Sequence, residues 1–413
     1  MYEFALVWDW LSFAVRWLHI ITVIAWIGSS FYFIALDLGL RKNPDLPKGI
    51  YGEAWQVHGG GFYRIQKYLI APDQMPEHLT WFKWESYATW LSGFALLAIV
   101  YYAGADIFLI DPTVAELSKG QAICISLLSI GLGWLVYDQL CKSVLGQDST
   151  RLMVLLYFVL VAMAWGYTEV FTGRAALVHL GAFTATIMSA NVFFIIIPNQ
   201  KIVVADLINS REPDPNLGKQ AKQRSTHNNY LTLPIIFLML SVHYPLAFAS
   251  EYNWIIASLV FLMGVTIRHY FNSKHSGVGN PIWTWFATIF IFLAIMWLST
   301  VGSITANEDA KTEFLSPKGH FIAEPRFEEV RDLVHSRCTM CHAREPGYNG
   351  LIRAPKNVTL ETDLEIARQA RGIYLHAGRS RAMPPPAVIR DGIELSFKER
   401  QLIVKWYEAA VRG

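Results

Sequence analysis

Runs of about 20 apolar residues, parted by short polar stretches, recur through the first three-quarters of the chain, and each is long enough to cross a bilayer core of ~30 Å as a helix. The pattern predicts membrane helices near 11–36, 81–104, 121–141, 152–171, 174–197, 230–249, 253–271 and 281–302. Beyond these the pattern changes. Residues 303–320 are polar and irregular, as in a linker, and residues 321–413 show helical spacing again in FEEVRDLVHSR and SFKERQLIVKWYEAAV. The expected fold class is therefore all-α, an eight-helix transmembrane bundle over 1–302 followed by a small helical domain over 321–413. The opening MYEFALVWDWLSFAVRW has no basic start and no small-residue cleavage site, so it is expected to be an uncleaved first membrane helix.

Eight crossings put both ends of that bundle on one side, and charge says which. The first connection carries Arg41, Lys42, Lys48, Arg64 and Lys67, and the fifth carries Lys201, Arg211, Lys219, Lys222 and Arg224. The opposite connections offer little beyond Lys119 and Arg174. Basic loops stay in the cytoplasm. Both ends are thus expected on the outer face of a bacterial inner (plasma) membrane, with the last domain in the periplasm. The formal net charge of +2 shows no basic stripe and argues against nucleic acid as a partner.

SRCTMCH, at residues 336–342, changes the picture of the last domain. Cys338, Cys341 and His342 have the C-x-x-C-H spacing that attaches a c-type haem, with two thiols reaching the porphyrin vinyl groups and the histidine ligating iron. RAMPPP downstream offers Met383 as the sixth ligand, ahead of three prolines that stiffen its loop. His/Met ligation raises the reduction potential, which suits an electron acceptor. A class I-like cytochrome c domain is expected here, and haem c attachment on the outer face of a bacterial membrane agrees with the charge argument. An accidental or zinc-binding motif is the competing reading, disfavoured by the Met-Pro loop and the closing helix.

Ionisable groups at membrane depth point to function. His19, His179 and His243 fall in the outer half of the bilayer, where neutral imidazoles could ligate a b-type haem, with His19 the first candidate and Arg16 placed to neutralise a propionate. The competing reading is that these histidines only hydrogen-bond between helices. His269 falls at the cytoplasmic end of the seventh helix, beside Arg268.

Two cytoplasmic segments hold more chemistry than connectors need. In Glu53–Glu85, three glycines follow His58 and could let the backbone approach a ligand, or simply turn the chain, and Glu85 leads into the second helix. QRSTHNNYLTLP groups Arg224, His227, Asn228 and Asn229 at the expected entrance to the sixth helix. Paired asparagines suit the edge of a planar heterocycle and an arginine suits an anion. A general base for proton removal is sought among His227, His58, Glu85 and His269. No Ser-His-Asp set, phosphate loop or dinucleotide fingerprint appears in its required context.

AWQVHGGGFYR, APDQMPEHLTWFKWESYATW and RSTHNNYLTLP followed by SVHYP resemble the membrane-bound bacterial urate oxidases of the PuuD type, which join a membrane domain to a carboxyl-terminal cytochrome c. The resemblance covers essentially the whole chain. It implies oxidation of urate to 5-hydroxyisourate in purine catabolism, with electrons passing through haem c to a soluble cytochrome c or a terminal oxidase, and without peroxide release. LHIITVIAWIGSSFYF alone resembles the first helix of small protoporphyrinogen oxidases. Another cytochrome c-fused membrane dehydrogenase, or a non-enzymatic electron-transfer subunit, is the alternative.

Overall fold

A computed structural model describes residues 4–70, 76–111, 114–248, 250–305, 319–348, 351, 354–355, 358–380, 382–384 and 393–412. The chain is mostly helical. Long helices occupy all the predicted apolar segments: α1 (Phe4–Gly39), α2 (Trp84–Leu96), α3 (Lys119–Lys142), α4 (Ser149–Thr168), α5 (Gly173–Ala190) running into α6 (Ile197–Ile208), α7 (Pro215–Ser241), α8 (Asn253–Ser276) and α9 (Trp283–Thr305). Among the described residues, five helical stretches are long and apolar enough to cross a membrane: Trp10–Gly39, Lys119–Lys142, Ser149–Thr168, Gly173–Ile208 and Asn253–Ser276. α2 and α7 fall short for visible reasons. α2 carries the buried polar residues Ser86, Thr89 and Ser92, and the first three turns of α7 are polar.

Two expectations are corrected. The fold is not purely α, because the first connection forms an antiparallel hairpin of β1 (Ile50–His58) and β2 (Gly61–Tyr68). The glycine run makes its turn: Gly59 and Gly60 sit at φ +62° and +80°, the left-handed pair that a two-residue hairpin turn requires. The second correction is larger. The sixth helix starts at Pro215, not near 230, with Asp214 capping it by accepting from the Asn216 N–H at 2.9 Å. Pro at the first helical position costs no hydrogen bond there. QRSTHNNYLTLP is therefore helix, not loop. Pro234 lies inside α7, and Gly264 of α8 makes room for it, since a Cβ at Gly264 would come 2.6 Å from the Pro234 ring.

In the apolar bundle two helices loosen into π turns, α2 over Leu97–Tyr102 and the α5–α6 junction over Asn191–Ile196, and a third π turn spans Tyr374–Gly378. Such turns often mark functional positions. The principal core lies among α3, α4, α5, α7 and α8, around Leu152, Phe171, Leu177, Leu180, Phe183 and Leu238. A separate core belongs to the carboxyl-terminal segment. There α10 (Phe327–Arg337), the single turn α11 (Thr339–His342), α12 (Asp363–Arg368) and α13 (Phe397–Arg412) bury Phe327, Val330, Ile366, Ile403 and Trp406. The expected closing helix thus forms and packs on the first helix of that segment. Most of the 303–320 linker, and all but Ala382–Pro384 of the RAMPPP loop, lie outside the described residues.

Candidate active site

His227, Asn228 and Asn229 are consecutive on α7, so helical geometry turns them about 100° apart and sends each to a different neighbour. All three are buried. His227 Nδ1 lies 2.8 Å from the Tyr137 hydroxyl on α3. Asn191, the first residue of the π turn, donates through Nδ2 to the Tyr137 oxygen at 3.0 Å and to Asn228 Oδ1 at 3.1 Å. Asn228 Nδ2 donates to the Met188 carbonyl at 2.9 Å. With its oxygen accepting from Asn191, Tyr137 has its own proton available for His227 Nδ1, and in the tautomer that accepts it the imidazole proton sits on Nε2.

One turn before His227, Arg224 is 2 % exposed and meets Asp138 of α3 at 2.7 Å, while its guanidinium lies 4.9 Å from the centre of the Tyr137 ring. Lys142, a turn after Asp138, binds the other carboxylate oxygen at 2.6 Å. Arg224 is a neutralised charge.

Arg268 is a different case. It sits on α8, is 6 % exposed, and has no carboxylate partner among the described residues. Its Nε donates to Asn229 Oδ1 at 3.3 Å and its NH2 group to Asn272 Oδ1 at 3.3 Å, and Asn272 Nδ2 donates to the same Asn229 oxygen at 3.0 Å. The guanidinium lies over the Phe31 ring of α1 at 4.3 Å. Asn229 Nδ2 is buried with no acceptor among the described residues. His275 follows Asn272 on the same face of α8 by three-residue spacing, and its Nδ1 is also buried without a partner. Sequence reasoning missed Tyr137, Asp138, Asn191, Asn272 and His275. A charge at membrane depth was the available signal for Asp138.

The other expected base candidates do not join this cluster. His58 is exposed at the hairpin end, one residue from the turn, and His269 is exposed on α8 with its ring 6.1 Å from Trp283. Glu85 is in the first turn of α2 with Oε2 buried and unpartnered, beside the Ser86–Ser189 bond of 3.0 Å.

His19 and His179 share no hydrogen-bond or ring partner among the described residues. His19 Nδ1 meets the Thr89 carbonyl at 3.2 Å and the Ser92 hydroxyl at 3.1 Å on α2, where Gly93 permits the close approach. His179 is fully buried, donates from Nδ1 to the Ala175 carbonyl at 2.8 Å, and is ringed by Phe171, Tyr101 and Tyr167 at 4.7, 5.7 and 5.9 Å, with Nε2 unpartnered. Arg16, the expected propionate partner, is exposed on α1. His243 lies past the end of α7 and is exposed. This arrangement does not fit a shared b-type haem: His179 is closed in by aromatic rings and His243 lies exposed beyond the end of α7.

The c-type motif is a better match to its group. His342 Nδ1 is fixed on the Val358 carbonyl at 2.9 Å, which orients the ring and leaves Nε2 for a metal. Cys338 precedes the α11 turn as its N-cap residue, and Cys341 lies within the turn, next to His342. Met383, 37 % exposed, is tied back by its N–H to the His376 carbonyl at 2.8 Å. Arg400 of α13 is 6 % exposed and donates from NH1 to the carbonyls of Ala377, Ser380 and Met383 at 2.7, 3.2 and 2.9 Å. Nearby, the Thr359 hydroxyl and the backbone N–H groups of Glu361 and Thr362 hold the Glu365 carboxyl down at about 2. In the hairpin, the Arg64 guanidinium at 2.7 Å holds Glu53 below the usual carboxylate range.

No curated protein and no solved structure matches the chain. The family model described as Urate oxidase N-terminal matches residues 5–299, which takes in α1 to α8, the hairpin and nearly all of α9. With more than two-thirds of its length matched, the chain belongs to the urate oxidase N-terminal family.

Proposed function

We propose that this protein oxidises urate to 5-hydroxyisourate in the membrane and sends the electrons through a covalently attached haem c toward a soluble cytochrome c or a terminal oxidase, without releasing peroxide. The observation that carries the substrate site is Arg268, a buried cation with amide partners and no carboxylate among the described residues. An uncompensated buried charge is costly, and an anionic ligand removes that cost. Urate is a planar monoanion near neutral pH.

Asn229 and Asn272 present amide donors and acceptors for the ring edge, and the Asn229 Nδ2 group already lacks an acceptor. The Phe31 face, now covered by Arg268, offers a stacking surface. His275, with its unpartnered nitrogen, takes the proton as the ring is oxidised. Water then adds to the oxidised ring. In this assignment Arg224, paired with Asp138, holds α7 against α3. A merely electron-carrying subunit has no need of a second, uncompensated arginine.

The proposal divides the chain into a membrane domain over 1–302 with eight crossings, a linker over 303–320 and a cytochrome c domain over 321–413, with both ends in the periplasm. Cys338 and Cys341 would hold haem c through thioethers, and His342 and Met383 would ligate its iron. Once bound, the haem supplies a one-electron acceptor on the outer face. The basic first and fifth connections support this orientation.

The test is anaerobic addition of urate to purified full-length protein while the haem α-bands are recorded. Urate reduces the c-type band in the expected outcome. A band that dithionite reduces and urate does not removes the assignment. Arg268→Gln then locates the site. Loss of a charge-assisted contact of about 3 kcal/mol lowers kcat/KM for urate ~100-fold, mainly through KM. Unchanged kcat/KM would move the substrate elsewhere.

A further inference from the structure

A cavity of about 330 Å³ lies between α3, α4, α5, α7 and α8, on the side of α7 that carries His227. Its walls are almost wholly apolar, with Leu140, Met153, Phe183 and Leu231 among them, and Tyr137 and His227 bring polar groups to it. Val154 and Phe158 of α4 also line it and are 52 % and 61 % exposed, so the cavity opens sideways, toward the acyl chains of a surrounding bilayer. It faces the last turns of α3 and the first turns of α4, the end of the bundle that holds the Arg224–Asp138 pair.

His227 gives this cavity a chemical preference. In the tautomer whose Nδ1 accepts from Tyr137, Nε2 carries a hydrogen, and Nε2 makes no hydrogen bond among the described residues. That tautomer offers one N–H donor in an apolar enclosure. Urate does not fit such a place, because its edge needs polar partners all round and would lose them here. An isolated carbonyl on a flat apolar ring fits: it needs one donor and gains from the apolar walls.

We propose that this cavity binds a lipid-soluble quinone, with one carbonyl oxygen accepting from His227 Nε2–H and the apolar tail leaving between Val154 and Phe158. Its redox role rests on the urate reading above, though binding itself does not. Urate oxidation releases electrons in a pair, while a haem takes them singly. A quinone takes the pair: urate, water and quinone yield 5-hydroxyisourate and quinol. The water oxygen forms the new bond to the purine ring, two electrons pass to the quinone, and its two carbonyl oxygens take up the two protons released. Reoxidation of the quinol by a one-electron acceptor, such as the haem c proposed above, would take its electrons singly and release its two protons to solvent. Asn229 and His227 are two residues apart on α7, so donor and acceptor sites would flank one helix.

The experiment uses delipidated, haem-loaded, full-length protein in detergent with decylubiquinone as the probe and decylbenzene, which lacks the carbonyls, as the competitor. Binding is followed by quenching of protein fluorescence, and the site is mapped by cross-linking with a photoreactive azidoquinone. Saturable binding is expected, with cross-links in 153–160, little competition by decylbenzene, and at least tenfold weaker affinity in both His227→Phe and Val154→Trp. Val154 faces outward, so its variant keeps the test available if His227→Phe does not fold. Absence of saturable binding overturns the proposal. So does equal competition by decylbenzene with His227→Phe unaffected, which would make the cavity an acyl-chain groove only. Urate reduction of the c-type band, measured in the same samples, reports on the urate reading separately and is compatible with either result.

Discussion

Arg400→Met should unlatch the loop that presents Met383. In the native protein a single nitrogen, NH1, faces three carbonyls, those of Ala377, Ser380 and Met383, at 2.7, 3.2 and 2.9 Å. That nitrogen carries two hydrogens, so the three acceptors share two bonds' worth of interaction. At the low end for a charged donor, ~1.5 kcal/mol each, their loss costs ~3 kcal/mol. Methionine keeps the apolar stem and removes only the guanidinium, so the loss is chiefly that of the carbonyl contacts. For a domain of roughly ninety residues, ~3 kcal/mol corresponds to a midpoint lowered by ~12–24 °C. The assay is thermal loss of haem absorbance in full-length, haem-loaded protein, with the long-wavelength band of sulfur-to-iron ligation recorded beside the α-band. The sulfur band should disappear at lower temperature than the α-band, and in part already at 25 °C. Arg400→Lys, which keeps the charge on a rounder donor, should recover part of the loss. A midpoint shift under ~4 °C with the sulfur band intact would show that Arg400 does not hold this loop.

Gly133→Ala should destabilise the bundle by about 1–3 kcal/mol, since the added Cβ would fall 2.0 Å from Phe183 Cε2, and an unchanged inactivation half-life in detergent would refute the close packing of α3 on α5. The pH prediction concerns Glu365. Its carboxyl is held at about 2, below an ordinary value of 4.5, so its contribution is complete above 4.5 and is lost as pH falls through about 2. Far-ultraviolet circular dichroism of the native protein and Glu365→Gln should therefore diverge above pH 4.5 and converge near pH 2, and coincident acid limbs would rule out the capping role.

The helices were legible because lipid-length apolar runs leave little choice of structure, and so was the closing helix SFKERQLIVKWYEAAV, whose apolar spacing matches its observed packing. The hairpin was not. Its strands, IYGEAWQVH and GFYRIQKY, alternate imperfectly and sit between basic residues that read as topology signals, although Gly59-Gly60 was the available clue. The start of α7 was missed because hydropathy finds only the lipid-facing part of a helix. Residues 215–229 are polar, and the π turn and α3 supply the partners that make a polar helix stable there. His275 was passed over for the same reason. It looks like the frayed basic end of a membrane segment, and only the register of α8 puts it in line with Arg268 and Asn272.

Reading Asn228 and Asn229 as one paired recognition surface fails on helical geometry, and that failure explains the site. Side chains about 100° apart on one helix do not meet the same ligand edge. Asn228 is committed to Asn191 and Met188, with both functional atoms of its amide engaged inside the protein. Asn229 turns to α8, where its Nδ2 group has no acceptor and its oxygen serves Arg268 and Asn272. His227 turns to α3 and the apolar cavity. A closed amide therefore separates one open amide beside a lone cation from one open imidazole beside an apolar space. Because Asn228 couples to both sides through Asn191 and the α7 backbone, Asn228→Ala should disturb both the urate response and the fluorescence response to quinone. Arg268→Gln should disturb the first alone, and Val154→Trp chiefly the second.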